Sequence, residues 1–154
     1  MTPTRQDTWD VELWVRNPTT SKYEYFGIWD KKTGGEVDSD DTIYHPGNMA
    51  DPISLGGRRT TGNVTLSRLY KLERDHGGVG ASGQHIGALI NRAGVADAKV
   101  SQQPLDLNGH AWGNPLVYVG VLKRVTPPEH DSEASGAAMI ELEITITGYP
   151  TKAK

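Results

Sequence analysis

Val11, Leu13 and Val15 alternate with Asp10, Glu12 and Trp14, so residues 9–15 carry one apolar and one largely charged face. That period of two predicts a half-buried strand. A turn cluster at 16–22 leads into Tyr23-Glu-Tyr-Phe-Gly-Ile-Trp29, rich in aromatic and β-branched residues, and the two runs read as a hairpin. Strand character returns at Ile53-Ser-Leu and, after Gly56-Gly57, through 63–70; Val64 and Leu66 share a face, while Leu69 and Leu72 break the parity and predict a bulge or strand end near Arg68. Residues 97–105 read as a polar strand. Residues 115–125 are apolar on both faces for much of their length and predict a central strand or one covered by another surface. In 139–147, Ile140, Leu142, Ile144 and Ile146 oppose Glu141, Glu143, Thr145 and Thr147, the clearest alternation in the chain.

One segment has a helical period. Ile86, Leu89, Ile90 and Ala93 fall on one face, Ser82 can cap the start, and Gly94 stands where a stop belongs, predicting a helix over about 82–93. From Asp30 to Pro52 the alternation disappears amid Gly34, Gly35, Asp38, Asp40, Asp41, Pro46, Gly47, Asp51 and Pro52. A structureless stretch of that length inside a domain is uncommon and usually either functional or disordered. With no internal repeat and no mid-chain linker, the expectation is one domain over 1–154, with 149–154 as a short tail.

Composition narrows the chemistry. The 154 residues are 36% hydrophobic with 18 glycines and 9 prolines, the balance produced by many turns joining short strands. There is no cysteine, which excludes a disulfide framework, thiolate zinc ligands and a cysteine nucleophile. The formal charge of −3 does not suit a protein that grips nucleic acid by neutralising phosphates. Neither a signal-peptide run nor the ~20 apolar residues of a membrane span is present, giving the expectation of a soluble protein made in the cytoplasm.

The candidate sites are individually weak. Gly78-Val-Gly-Ala-Ser-Gly83 has the spacing of a dinucleotide-binding turn, with Asp97 further on, but Glu73-Arg-Asp-His-Gly precedes it instead of a buried strand, and no repeated βαβ pattern surrounds it. Glu36-Val-Asp-Ser-Asp-Asp41 offers oxygen ligands for calcium without the EF-hand's glycine and distal glutamate. The histidines at 45, 76, 85, 110 and 130 show no zinc or triad spacing. Arg58, Arg59, Arg68 and Arg74 form the sole basic concentration, most simply a solvated or salt-bridged face. The sequon at Asn63 matters only in a secreted chain, and Trp9, Trp14, Trp29 and Trp112 could stack sugars or serve as core. No catalytic, metal or cofactor-binding residue is assigned, and no cofactor is expected.

The phrases Gly27-Ile-Trp-Asp-Lys-Lys-Thr-Gly-Gly-Glu-Val-Asp-Ser-Asp-Asp-Thr and Ser54-Leu-Gly-Gly-Arg-Arg-Thr-Thr-Gly-Asn-Val-Thr-Leu-Ser-Arg-Leu-Tyr-Lys-Leu-Glu-Arg-Asp75 resemble the tail tube, or major tail, proteins of long-tailed bacteriophages. The resemblance is strongest over 27–75, and it implies an architecture shared with contractile tails and type VI secretion tubes. It implies a mainly β fold: a β-sandwich or barrel with one flanking α-helix and a long β-hairpin-type loop, forming hexameric rings that stack into a tube for DNA ejection. Implied partners are further copies of the chain, other tail proteins such as tape measure, terminator and distal tail proteins, and double-stranded DNA in non-specific passage, all within the virion. On this reading Asp10, Glu12, Glu141 and Glu143 face the bore and repel DNA, six copies at −3 each carrying −18. Gly34, Gly35, Asp38, Asp40, Asp41, Tyr44, His45 and Met49 form the loop that reaches a neighbouring subunit or ring. A β-sandwich module binding carbohydrate or a receptor on a virion is the alternative.

Overall fold

The computed structural model describes residues 5, 7–76, 86–133, 135–147 and 151–152. Its strands, in chain order, are β1 (Trp9–Arg16), β2 (Tyr23–Trp29), β3 (Lys31–Gly34), β4 (Val37–Ser39), β5 (Ile43–Tyr44), β6 (Ile53–Ser54), β7 (Arg59–Thr61) and β8 (Val64–Leu69). A π-helical turn (Leu72–His76) and helix α1 (Ile86–Arg92) follow, then β9 (Asp97–Pro104), β10 (Leu116–Thr126), β11 (Met139–Ile146) and β12 (Thr151–Lys152). The proposed cap Ser82 and the glycines of 78–83 lie outside the described residues. Thr151–Lys152, placed in a tail by sequence alone, pairs antiparallel with Val117 and Leu116.

The main sheet runs β2-β1-β9-β10-β11-β8-β3, every pairing antiparallel. Only Asp30 separates β2 from β3, although these strands occupy opposite edges of that order. Residues 23–34 are therefore one bent strand shared by both edges, and the sheet closes on itself as a barrel, which removes most of the exposed edge an open sheet would present. Asp30 fixes the bend: its N–H donates to the Ser67 carbonyl at 3.1 Å, and its carboxylate accepts from the Leu69 N–H at 3.0 Å.

Alternation sends Val11, Leu13, Val15, Val64, Leu66, Val100, Leu122, Ile140, Leu142 and Ile144 inward, where they are buried with Phe26 and Trp29. Rows of directly paired residues cross the interior, as Leu13–Val100–Tyr118 and Lys32–Leu66–Leu142 do. Gly120 is needed where β10 approaches β11, because a Cβ there would strike the Thr145 backbone. At Lys123 the register slips by one residue, so Leu122 and Val125 both pack inward while Lys123 and Arg124 lie consecutively on the outer side.

Helix α1 covers part of the barrel with Leu89, assisted by Ile86 and Ala88, while Ile90, on the predicted apolar face, stays half exposed. Gly94 takes a φ of +81° just past the helix, the left-handed conformation the stop requires.

The same alternation that buries Val64 and Leu66 also buries Arg68, a charge that must be paired. Arg68 donates to the Phe26 carbonyl at 2.7 Å and to Asp75 at 2.6 Å, with its guanidinium 4.2 Å from the Trp29 ring centre. Asp75, also fully buried, further accepts from Arg74 at 2.8 Å and from the Lys71 N–H at 2.8 Å. Burial pushes the Asp75 carboxyl upward, but these hydrogen bonds and the two arginine charges outweigh it and hold the group below its ordinary range. The arginine cluster thus divides: Arg68 and Arg74 pin the π-helical turn to the barrel, while Arg58 and Arg59 lie elsewhere.

Candidate assembly surfaces

The segment expected to lack structure is one half of a protruding ribbon. β4 pairs with β7 and β5 with β6, and the bonds Gly62 N–H to Glu36, Asp40 N–H to Arg58 and Leu55 N–H to Thr42 extend the ladder between them. The second half, 53–61, is the weak strand signal around Ile53 and the arginine pair. Gly56 and Gly57 form a bulge; Gly56 has a φ of +68°, and a Cβ on Gly57 would collide with the Asp40 carbonyl. At about 3.3 Å per residue, the nine residues from Glu36 to Tyr44 reach roughly 30 Å from the barrel.

The root of this arm is built from Gly34 and Gly35, with φ of +84° and +82°. A Cβ on Gly35 would lie 2.7 Å from the Tyr118 ring, and Lys32 clamps the same ring, donating to the Tyr118 hydroxyl at 3.0 Å and to the Gly34 carbonyl at 3.1 Å. Asp38, Asp40 and Asp41 lie along the ribbon, with Asp41 accepting from the Ser54 hydroxyl; Tyr44, His45 and Met49 stand at its outer end. Val37, Ile43, Tyr44, Ile53 and Leu55 are exposed, and Met49 is completely so at 101%, on a backbone with φ of +59°. Two-stranded ribbons are at best marginally stable in water without a third strand or a packed face, and among the described residues this one has neither. Residues 35–62 hold five carboxylates and two arginines, a net −3, so the remainder of the chain sums to zero. The acidity read from the whole sequence belongs to the arm.

Asp10, Glu12, Glu141 and Glu143 all point outward, as their parity requires, but the fold does not bring them together. β1 and β11 are separated by β9 and β10 around the closed circuit, so the two pairs occupy different walls. Nor is the outer surface of one sign: Arg16 pairs with Asp97 at 3.2 Å, and Glu143 is held by Lys123 at 3.4 Å, Arg124 at 2.8 Å and the Asn63 amide at 2.9 Å. The Asn63 hydrogen bond lowers the Glu143 pKa; burial opposes it, and the Lys123 and Arg124 charges add to the lowering. Around Glu141 and Glu143 the wall of β11 and β8 presents Thr65, Ser67, Thr145 and Thr147, small hydroxyl side chains facing water.

The wall of β1, β9 and β10 is different. Tyr25, Trp14, Lys99 and Val119 are directly paired in one cross-strand row. The Trp14 and Tyr25 rings meet in a tilted contact with centres 5.3 Å apart, and the Lys99 ammonium sits 4.9 Å from the Trp14 ring centre and 5.3 Å from that of Tyr23. Tyr25 and Val119 are each 43% exposed. Three of the four tryptophans are dispersed: Trp29 is buried in the core, Trp14 is on this outer wall, and Trp112 is exposed in the loop before β10, while Trp9 is half-buried at the start of β1. Among the described residues no three His, Asp or Glu side chains converge as a metal site would need, and the acidic run 36–41 is spread along β4 and the residues flanking it.

A closed antiparallel barrel with one flanking helix and a long projecting ribbon is a tail-tube-like fold. No family model and no curated relative matches the sequence. Solved structures do match. A chain from the six-fold symmetrised baseplate of the anti-feeding prophage superposes with a TM-score of 0.72 at 12% identity, covering 99% of this chain and 97% of the other. A chain of the extended sheath-tube complex of PVC, an extracellular contractile injection system, gives 0.64 at 14% identity, covering 98% and 91%. The SPP1 tail tube gives 0.57 at 13% identity, covering 97% of this chain and 78% of that one.

Proposed function

We propose that the chain is a structural subunit of a phage-type tail, not an enzyme: copies join head to tail into hexameric rings, and the rings stack into a tube that conducts double-stranded DNA. The observation that carries this reading is the arm, a solvent-exposed ribbon with an apolar outer end on a tail-tube-like barrel. Such an element becomes stable by packing on another molecule, its ordering entropy being offset by the new contacts. A head-to-tail contact that closes makes a ring, and a second contact along the axis makes a stack. In this reading Gly34 and Gly35 hinge the arm, Asp38, Asp40, Asp41, Tyr44, His45 and Met49 contact the neighbouring copy, and the tube works within the virion beside other tail proteins. Light scattering across a concentration series tests assembly: scattering mass rises steeply with concentration for a tube subunit and stays at 16.8 kDa for a solitary module.

For the bore we place the wall of β11 and β8, with Glu141 and Glu143, toward the passing DNA. Asp10 and Glu12, on the far side of the barrel, then stand outside the bore. The reason is less a repulsive stripe than the pairing of Lys123 and Arg124 with Glu143, whose charge together with that of Glu141 balances the two cations and leaves a hydroxyl-rich surface. Glu143→Gln keeps the shape and frees both cations toward phosphate. Assembled tubes of this variant should retain fluorescent duplex DNA at 50 mM salt and release it at 500 mM, while native tubes retain little at either. Equal retention by the two would remove β11 from the bore.

A further inference from the structure

We infer that the row Tyr25–Trp14–Lys99–Val119 is the seat for the arm of a second copy of this chain, with Lys99 receiving an arm carboxylate. The inference rests on the tube reading and adds where the arm binds. Three observations converge. The row is apolar apart from Lys99, and Tyr25 and Val119 are open to water at its two ends. The Lys99 ammonium makes ring contacts with Trp14 and Tyr23 but forms no ion pair with a carboxylate among the described residues, whereas Arg16 beside it has Asp97 and Glu12 accepts from the Tyr25 hydroxyl at 3.3 Å. The arm carries the complement: all of the chain's net negative charge, with Asp38 beside Val37 in β4, Asp40 just past that strand, and Ile43 and Tyr44 in β5 of the same ribbon half. A ribbon laid across these strands covers Val119, the exposed valine on the outer face of β10, and gives Lys99 a counter-ion. Excluding water from such a pair strengthens the attraction between its charges, against the cost of desolvating them. Because seat and arm are different surfaces, the contact is head to tail and propagates from copy to copy.

The test is a charge exchange followed by sedimentation of assembled protein. Lys99→Glu alone, and the arm reversal Asp38→Lys with Asp40→Lys alone, should each lower the assembled fraction at least tenfold. The chain carrying both changes should recover most of it. Val119→Asp, which needs no charge partner, should also block assembly. Thermal unfolding of each unassembled variant checks that the barrel is intact, and Lys99→Arg should assemble normally. Native-like assembly by Lys99→Glu, or a combined chain no better than the poorer single variant, would overturn the seat while leaving the tube reading standing. A native chain that never assembles overturns the tube reading itself.

Discussion

Replacing residues 36–61 by an Asn-Gly turn leaves a folded barrel that does not polymerise. Gly35 lies opposite Asn63, its N–H donating to the Asn63 carbonyl at 3.3 Å, so Asn-Gly followed by Gly62 makes a three-residue hairpin connection that can close the gap. Both halves of the ribbon must go together, since cutting only 34–49 would strand β6 and β7 without partners and remove the Gly34–Val64 pair from the barrel. None of the residues removed belongs to the buried core, so the melting temperature should shift by no more than about 4 °C, the effect of roughly 1 kcal/mol in a domain of this size. Assembly, measured by sedimentation, should fall below detection. Gly57→Val is a point version: the new side chain meets the Asp40 carbonyl, disturbs the bulge and should reduce assembly with the barrel's melting unchanged. Tubes of normal length from the trimmed chain would show that the arm has no part in assembly.

Asp75→Asn should produce the largest loss of stability of any single polar substitution. It leaves Arg68 buried without a counter-charge, and breaking a buried pair by removing one partner costs about 3–5 kcal/mol, or a drop of roughly 10 °C in melting temperature for a chain this long. Replacing both partners, Arg68→Met with Asp75→Leu, should cost less than Asp75→Asn alone, because no orphan charge remains. The pH dependence has a definite sign. The Asp75 carboxyl is held below its ordinary value of 3.8 in the folded chain, so its contribution is present above that value and is lost as the pH falls beneath it. The Asn variant should therefore show a flatter decline in stability as the pH falls below about 4 than the native protein. An Asn variant within 1 kcal/mol of native at pH 7 would mean that the network does not hold the π-helical turn.

The strands that form the barrel were legible because each has one face in the core: Val11, Leu13 and Val15, or Ile140, Leu142, Ile144 and Ile146, repeat at two and leave no other reading. The arm was illegible as strands for the opposite reason. Both faces of 37–44 and 53–61 meet water, so no burial selects an alternating pattern, and pairing depends on Gly56 and Gly57, which in sequence look only like a break. Arg68 sat at an inward position of β8, yet its partner Asp75 lies beyond the strand in a turn that no local period announces. The acidic residues at 10, 12, 141 and 143 showed their outward parity correctly, but parity cannot tell how far around a closed sheet two strands stand. The role of Lys99 needed the register of β1, β9 and β10, since Trp14, Tyr25 and Val119 are far apart along the chain. A bare cation between aromatic residues in an otherwise polar strand was the only signal available.

Cryo-electron microscopy of the purified protein at high concentration tests the central claim most directly. Stacked six-fold rings, with density for residues 36–61 of one copy lying across β1, β9 and β10 of another, are the expected result. Separate barrels with free arms at every concentration, and no annular or tubular particles, would contradict it.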